Sequence, residues 1–173
     1  MGMPPEQHHT AAPRGLLIQA GWFLAVFVLL QSCWNASLNT SADAFLTDTL
    51  TVKAAVTAIQ LLTPASNTIA IGRTISSPGG GIHIGNGCEG VSVLFLLIAA
   101  IIASPVSNRQ KCQGLLIGSA LVYFLNECRI IGLFYAFRTE RPLFDLLHHI
   151  VAPTAMIILV GLFYLVWSMR HNK

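Results

Sequence analysis

The chain has 173 residues, of which 54% are hydrophobic and only 10% charged, with a formal net charge of +3. An average soluble domain carries roughly 25% charged residues, so a water-soluble globule is excluded as the expected class. The cations are scattered beside apolar runs rather than gathered into a stripe with interleaved aromatics, which excludes a nucleic-acid partner. The cysteines Cys33, Cys88, Cys112 and Cys128 have no CxxC spacing, so neither a zinc ribbon nor a thioredoxin motif is expected.

In chain order, residues 1–14 are polar, contain Pro4, Pro5 and Pro13, and read as a disordered tail; 15–173 reads as a single membrane domain. The first apolar run, about 16–34, approaches the ~20 residues that cross ~30 Å of hydrocarbon. It is expected to be a retained helix rather than a signal peptide, because no clear A-x-A site follows it and further apolar runs do. Ala44–Leu62 places Phe45, Val52, Val56, Ile59 and Leu62 at near-helical spacing, interrupted by Asp48, Lys53 and Gln60. That pattern predicts an amphipathic helix at the interface rather than a span. Ile69–Ile75 and Ile82–Ile84 flank Pro78-Gly79-Gly80-Gly81, which predicts a β-hairpin. Further spans are expected over about 87–104, closed by Pro105, then about 114–137 and about 144–169. The expected fold class is an all-α polytopic membrane protein with about four transmembrane helices, an amphipathic helix and a small β-hairpin in the outer loop.

With both termini inside, Arg14, Arg109, Lys111, Arg170 and Lys173 fall on the cytoplasmic side and Lys53, Arg73, Arg138 and Arg141 outside, a slight positive-inside bias. Polar residues within spans are costly and are functional candidates. The second span opens with Cys88. The third contains Asn126, Glu127 and Arg129, with Asn126 and Arg129 on one face, and the last opens with Asp145, His148 and His149. Measured from the opposite ends of their spans at ~1.5 Å per residue, Cys88 lies roughly 25 Å up, Arg129 roughly 24 Å and His148 roughly 33 Å. A thiol, a guanidinium and an imidazole therefore reach one membrane face, a set sufficient for acyl transfer.

Each residue also has a structural role open to it. Cys88 fits a small apolar packing position or a disulfide with Cys33 or Cys128, and Arg129 fits an ion pair with Glu127 or a snorkelling cation. His83 is a rival base on a flexible loop, and His148 and His149 point to different helix faces, which suits no metal site. Asp145, one turn before His148, is placed to orient its ring. Gly118, Gly132 and Gly161 read as packing residues. A membrane adaptor and a small transporter subunit are the competing functional classes; the nearly apolar inner halves of the last three spans argue against a transporter.

Three segments resemble the motifs of the exosortase/archaeosortase family, in its short exosortase form: Gly85-Asn-Gly-Cys88-Glu-Gly-Val, Asn126-Glu-Cys-Arg129-Ile-Ile-Gly-Leu-Phe, and Phe144-Asp-Leu-Leu-His148-His-Ile-Val-Ala-Pro. Their order and spacing agree with that family over roughly residues 69–169. The resemblance implies a cysteine protease/transpeptidase of the bacterial inner membrane, with its active site at the extracytoplasmic face. Its partners would be exported proteins carrying a C-terminal motif of Pro-Glu-Pro type, a transmembrane helix and a basic tail, together with an unidentified acceptor nucleophile. It implies Cys88 as nucleophile, Arg129 as charge stabiliser and His148 as base, with Asn126 part of the second motif; His149 has no clear family counterpart. Asp145 and His149 are supporting candidates by their position beside His148, and no cofactor or metal is expected.

Overall fold

The computed structural model describes residues 13–171. Residues 1–12 of the expected tail lie outside them, and Pro13 and Arg14 already belong to the first helix. The elements are α1 (Pro13–Ser37), α2 (Ser41–Leu62), β1 (Ile69–Ile71), β2 (Thr74–Ser77), β3 (Gly80–His83), α3 (Val91–Ala103), α4 (Asn108–Thr139) and α5 (Arg141–His171). Among the described residues the chain is mostly helical, and 4 helices (α1, α2, α4 and α5) are long and apolar enough to cross a membrane.

α3 corrects the expected span over 87–104. It has 13 residues and is therefore only about 20 Å long. Gly87 and Gly90 adopt φ of 92° and 78°, left-handed backbone that no α-helix contains, so residues 85–90 turn before the helix begins. At its other end Ser104 is extended ahead of Pro105. α4 is longer than expected because it opens on a capping box, with Ser107 N–H donating to Gln110 Oε1 at 3.0 Å and Ser107 Oγ accepting from Gln110 N–H at 3.5 Å.

The expected hairpin is a three-stranded antiparallel sheet in the order β1-β2-β3. The run read as one strand, Ile69–Ile75, folds back on itself at Gly72-Arg73, pairing Ile71 with Thr74 and Ile69 with Ser76. Pro78-Gly79 makes the second turn, and Ile75 faces Ile82 across it.

α3 packs against α1, α4 and α5 and is the inner helix of the bundle. Its contacts with α4 and α5 bury Leu97, Ile101, Val122, Met156, Val160 and Trp167. The helices approach closely at glycines: a Cβ on Gly118 would lie 2.6 Å from Leu97 Cδ2 and 2.9 Å from Phe163 Cε1, and one on Gly114 would lie 2.7 Å from the Trp167 indole. Gly132 and Gly161, expected to pack in the same way, have open space at the Cβ position.

α2 packs across one end of this bundle. Its first turn carries Asp43, which is 1% exposed and ion-paired with Arg73 of the β1–β2 turn. Just past its last turn, Thr63 Oγ1 meets the Tyr135 hydroxyl at 2.8 Å near the end of α4. Both ends are thus held at the sheet end of the molecule, although the helix is long enough to cross a membrane. Residues 45–53 widen into a π-helical stretch, with Thr51 Oγ1 donating to the Leu46 carbonyl at 3.0 Å. Val52, Ala55, Val56 and Ile59 of α2 share a core with Ile75, Ile82 and Ile84 on one side and Ile130, Leu133 and Phe134 of α4 on the other. Through this core the sheet is seated on the bundle.

Gly118→Leu should therefore cost about 1–3 kcal/mol, the usual penalty of overpacking, and lower the melting temperature in detergent. Gly132→Leu should leave it nearly unchanged. Equal melting temperatures for the two variants would contradict the α3–α4–α5 packing.

Candidate functional site

Cys88 sits in the 85–90 turn, three residues before the first helical residue of α3, where its N–H donates to the Gly85 carbonyl at 3.1 Å. The expectation that it opens the helix is corrected by this placement. The positive end of a helix acts only within about its first turn, so the cation beside the thiol is a side chain. Arg129 of α4 points Nη2 at Cys88 Sγ, 3.7 Å away. Both line a cavity of about 20 Å³ with Ile82, His83, Ile84, Leu133, Phe144 and His148. That volume is close to what a single water molecule occupies.

His148 enters the cavity from the head of α5, where residues 147–151 form a π-helical turn. Its ring stacks on Phe144, one turn earlier, with centroids 5.4 Å apart and planes 5° from parallel. His149 is exposed, does not line the cavity, and touches the His148 ring edge at a centroid distance of 4.7 Å. Asp145 is exposed and makes no hydrogen bond to His148. Phe144, not Asp145, holds the imidazole plane, a role the sequence reading missed although the i, i+4 spacing signals it.

Two buried polar atoms facing this region have no hydrogen-bond partner among the described residues: His148 Nδ1 and Arg129 Nε. A buried polar group without a partner costs roughly 1–3 kcal/mol, and a bound water, an ion or a catalytic role is what ordinarily accounts for one. Arg129 makes no ion pair with Glu127, whose two carboxylate oxygens are also unpartnered. All four cysteines are free; Cys33, Cys112 and Cys128 are exposed and Cys88 is half-buried. His83 lines the cavity, but its Nδ1 lies 3.1 Å from Thr74 Oγ1 across the β2–β3 pair.

Asn126 does not line the Cys88 cavity. It is 2% exposed and packs beneath Gly90 at the end of the Cys88 turn; a Cβ on Gly90 would lie 2.9 Å from Asn126 Cγ. From the other side, Glu89 Oε1 accepts from Trp34 Nε1 at 3.3 Å, and Ser92 Oγ donates to Gln31 Oε1 at 3.3 Å, anchoring the turn to the end of α1.

Above the turn, Arg73 Nη1 donates to Asn86 Oδ1 at 2.8 Å while its Nη2 pairs with Asp43. Asp43 also accepts from the Asn39 N–H at 2.7 Å and from Thr47 Oγ1 at 3.1 Å. Sequence reading placed Arg73 only among the outer cations; its partner lies in another helix, and no local pattern links them. Among the described residues no three His, Cys, Asp or Glu side chains gather as a metal site. Comparison with protein-family models, with curated proteins and with solved structures finds no match.

The fit of Gly90 on Asn126 gives a direct test. Gly90→Ala combines a left-handed conformation unfavourable by roughly 1–2 kcal/mol for a non-glycine residue with overlap against Asn126, and should lower the unfolding midpoint in detergent. Adding Asn126→Ala should recover the overlap part alone. An unchanged midpoint in Gly90→Ala would contradict the described turn.

Proposed function

We propose that the chain is a multi-pass membrane cysteine transpeptidase that cleaves a C-terminal sorting signal of Pro-Glu-Pro or related type from exported proteins and passes the acyl group to an acceptor. The observation that carries this is the Arg129 guanidinium on Cys88 Sγ, in a cavity that also receives His148. Three segments far apart in the chain supply the three groups, and they are the segments that resemble exosortase motifs.

The membrane location is supported by what the helices expose. Leu16, Leu17, Ile18, Trp22, Val28 and Leu29 of α1 are each more than half exposed, and apolar surface this continuous suits hydrocarbon rather than water. The proposed orientation, with the Cys88 end outside, is supported by the slight positive-inside bias of the scattered cations.

In the proposed reaction His148 takes the proton of the Cys88 thiol, and the thiolate attacks the scissile carbonyl. The negative charge that develops on the carbonyl oxygen is met by N–H donors of Arg129, whose planar fork lysine cannot reproduce. Collapse of the tetrahedral intermediate breaks the C–N bond, and the leaving amine takes the proton back from His148. A thioester remains on Cys88 until an acceptor nucleophile attacks it and restores the thiol. Phe144 keeps the imidazole plane fixed through this cycle.

Cys88→Ala and Cys88→Ser should both insert and fold but leave substrates uncleaved, whereas Cys33, Cys112 and Cys128 should each be replaceable. Wild-type chain should yield a substrate adduct that hydroxylamine releases, and mass spectrometry of secreted C-termini with and without the gene should show the cut ends. Normal processing by Cys88→Ala would leave a membrane adaptor as the function. Arg129→Ala and Arg129→Lys should each slow processing by about 10²–10³, the usual cost of losing an oxyanion donor. His148→Ala should abolish processing, while His149→Ala should retain it; the reverse pattern would reassign the base.

Topology has its own test. An impermeant thiol reagent on intact cells should label a chain whose single cysteine is placed at Thr139, and should not label a chain whose single cysteine is Cys112. Labelling of Cys112 instead would invert the orientation.

A further inference from the structure

The Cys88 cavity, at about 20 Å³, holds a water molecule and no peptide. The substrate must approach along a surface continuous with it, and β3 is such a surface. This strand runs Gly80–His83 and continues through Ile84 into the Cys88 turn, with Ile82, His83 and Ile84 themselves lining the cavity.

The register fixes which backbone groups of β3 are free. In an antiparallel pair, bonded and non-bonded residue pairs alternate. Ile84 N–H donates to the Arg73 carbonyl at 2.8 Å, so Arg73–Ile84 is a bonded pair, and by alternation so are Ile75–Ile82 and Ser77–Gly80. Thr74 and Ser76 direct their backbone groups to β1, as their pairing with Ile71 and Ile69 requires. The N–H and C=O groups of Gly81 and His83 therefore point away from β2. Among the described residues no strand lies on that side and no hydrogen bond is made to them.

Natural sheets protect an open edge with lysine, proline or a bulge within the strand, or by keeping the strand very short. β3 is short, but its sequence, Gly-Gly-Ile-His, carries neither lysine nor proline, and its register with β2 has no bulge. A strand edge of this kind binds extended peptide by adding a strand. Gly81 also tolerates no side chain, because a Cβ there would run into the Ile75 carbonyl oxygen.

We propose that the substrate segment flanking the scissile bond docks as an added strand on the free edge of β3, hydrogen-bonded to the backbones of Gly81 and His83. This rests on the transpeptidase function proposed above and adds the mode of substrate recognition. Docked in this way, the peptide follows β3 toward the Cys88 turn, and its side chains alternate between the inner face, beside Ile82 and Ile84, and the outer face beside His83.

The test is disulfide cross-linking in membranes. The enzyme carries His83→Cys in a Cys88→Ala, Cys33→Ser, Cys112→Ser, Cys128→Ser chain. The probe is a reporter protein ending in Pro-Glu-Pro, an apolar helix and a basic tail, with single cysteines placed in turn across the residues around that motif. An added strand should cross-link to His83→Cys at every second reporter position. In parallel, His83→Pro, which removes the free N–H, should raise KM for the same reporter about threefold to tenfold over His83→Ala, the effect of one lost hydrogen bond, with kcat nearly equal. Cross-links at contiguous or helically spaced positions, no cross-link from a reporter that wild-type chain cleaves, or equal KM in the two His83 variants would each overturn strand addition while leaving the transpeptidase intact. A reporter that wild-type chain does not cleave would remove both.

Discussion

The sheet, the first turn of α2 and the Cys88 turn meet at Arg73, and the geometry of the site depends on the ion pair this residue makes with Asp43. Asp43 is buried, and its two oxygens collect a backbone N–H, a hydroxyl and the guanidinium. A buried carboxylate left without its cation is destabilised by roughly 3–5 kcal/mol, so the pair acts less as a source of net stability than as a lock on one arrangement. The other arm of Arg73 reaches Asn86, two residues from Cys88. Seating the sheet on α2 and positioning the thiol are thus one event.

Below that lock the thiol is held from three sides. Asn126 sits under Gly90, Glu89 bonds to Trp34 of α1, and Arg129 covers the sulfur itself. The turn can carry these contacts because two of its glycines, Gly87 and Gly90, take left-handed backbone angles that other residues adopt only at a cost. A regular helix through Cys88 would instead have aimed its side chain by helical periodicity alone. Moving the sulfur off the helix lets a helix on one side and a sheet on the other converge on it.

Much of this was legible in the residues. Long apolar runs announced α1, α4 and α5, and counting helical rise from the far ends of the expected spans brought Cys88, Arg129 and His148 to a common level. The misreadings have definite causes. The span over 87–104 was overdrawn because hydropathy records apolar content, whereas the backbone is ended by the left-handed glycines. Ile69–Ile75 looked like one strand because its turn, Gly72-Arg73, lies inside a β-favouring run. Asp145 drew attention as the nearby carboxylate, yet the neighbour that fixes His148 is the aromatic ring of Phe144. The Arg73–Asp43 pair spans 30 residues, a separation at which no periodic pattern in the sequence signals contact.

The shortness of α3 has a consequence for the lipid around the protein. A helix of about 20 Å cannot match hydrocarbon of about 30 Å, while α4, with 32 residues, exceeds it. In a bilayer such mismatch is relieved by local thinning around the short element. The headgroup layer would then dip toward the upper end of α3, bringing interfacial water to the level of Cys88 without the thiol rising out of the bundle. A thiol set at that depth would lie within reach both of chain emerging from the apolar layer and of the polar groups of the lipids beside it.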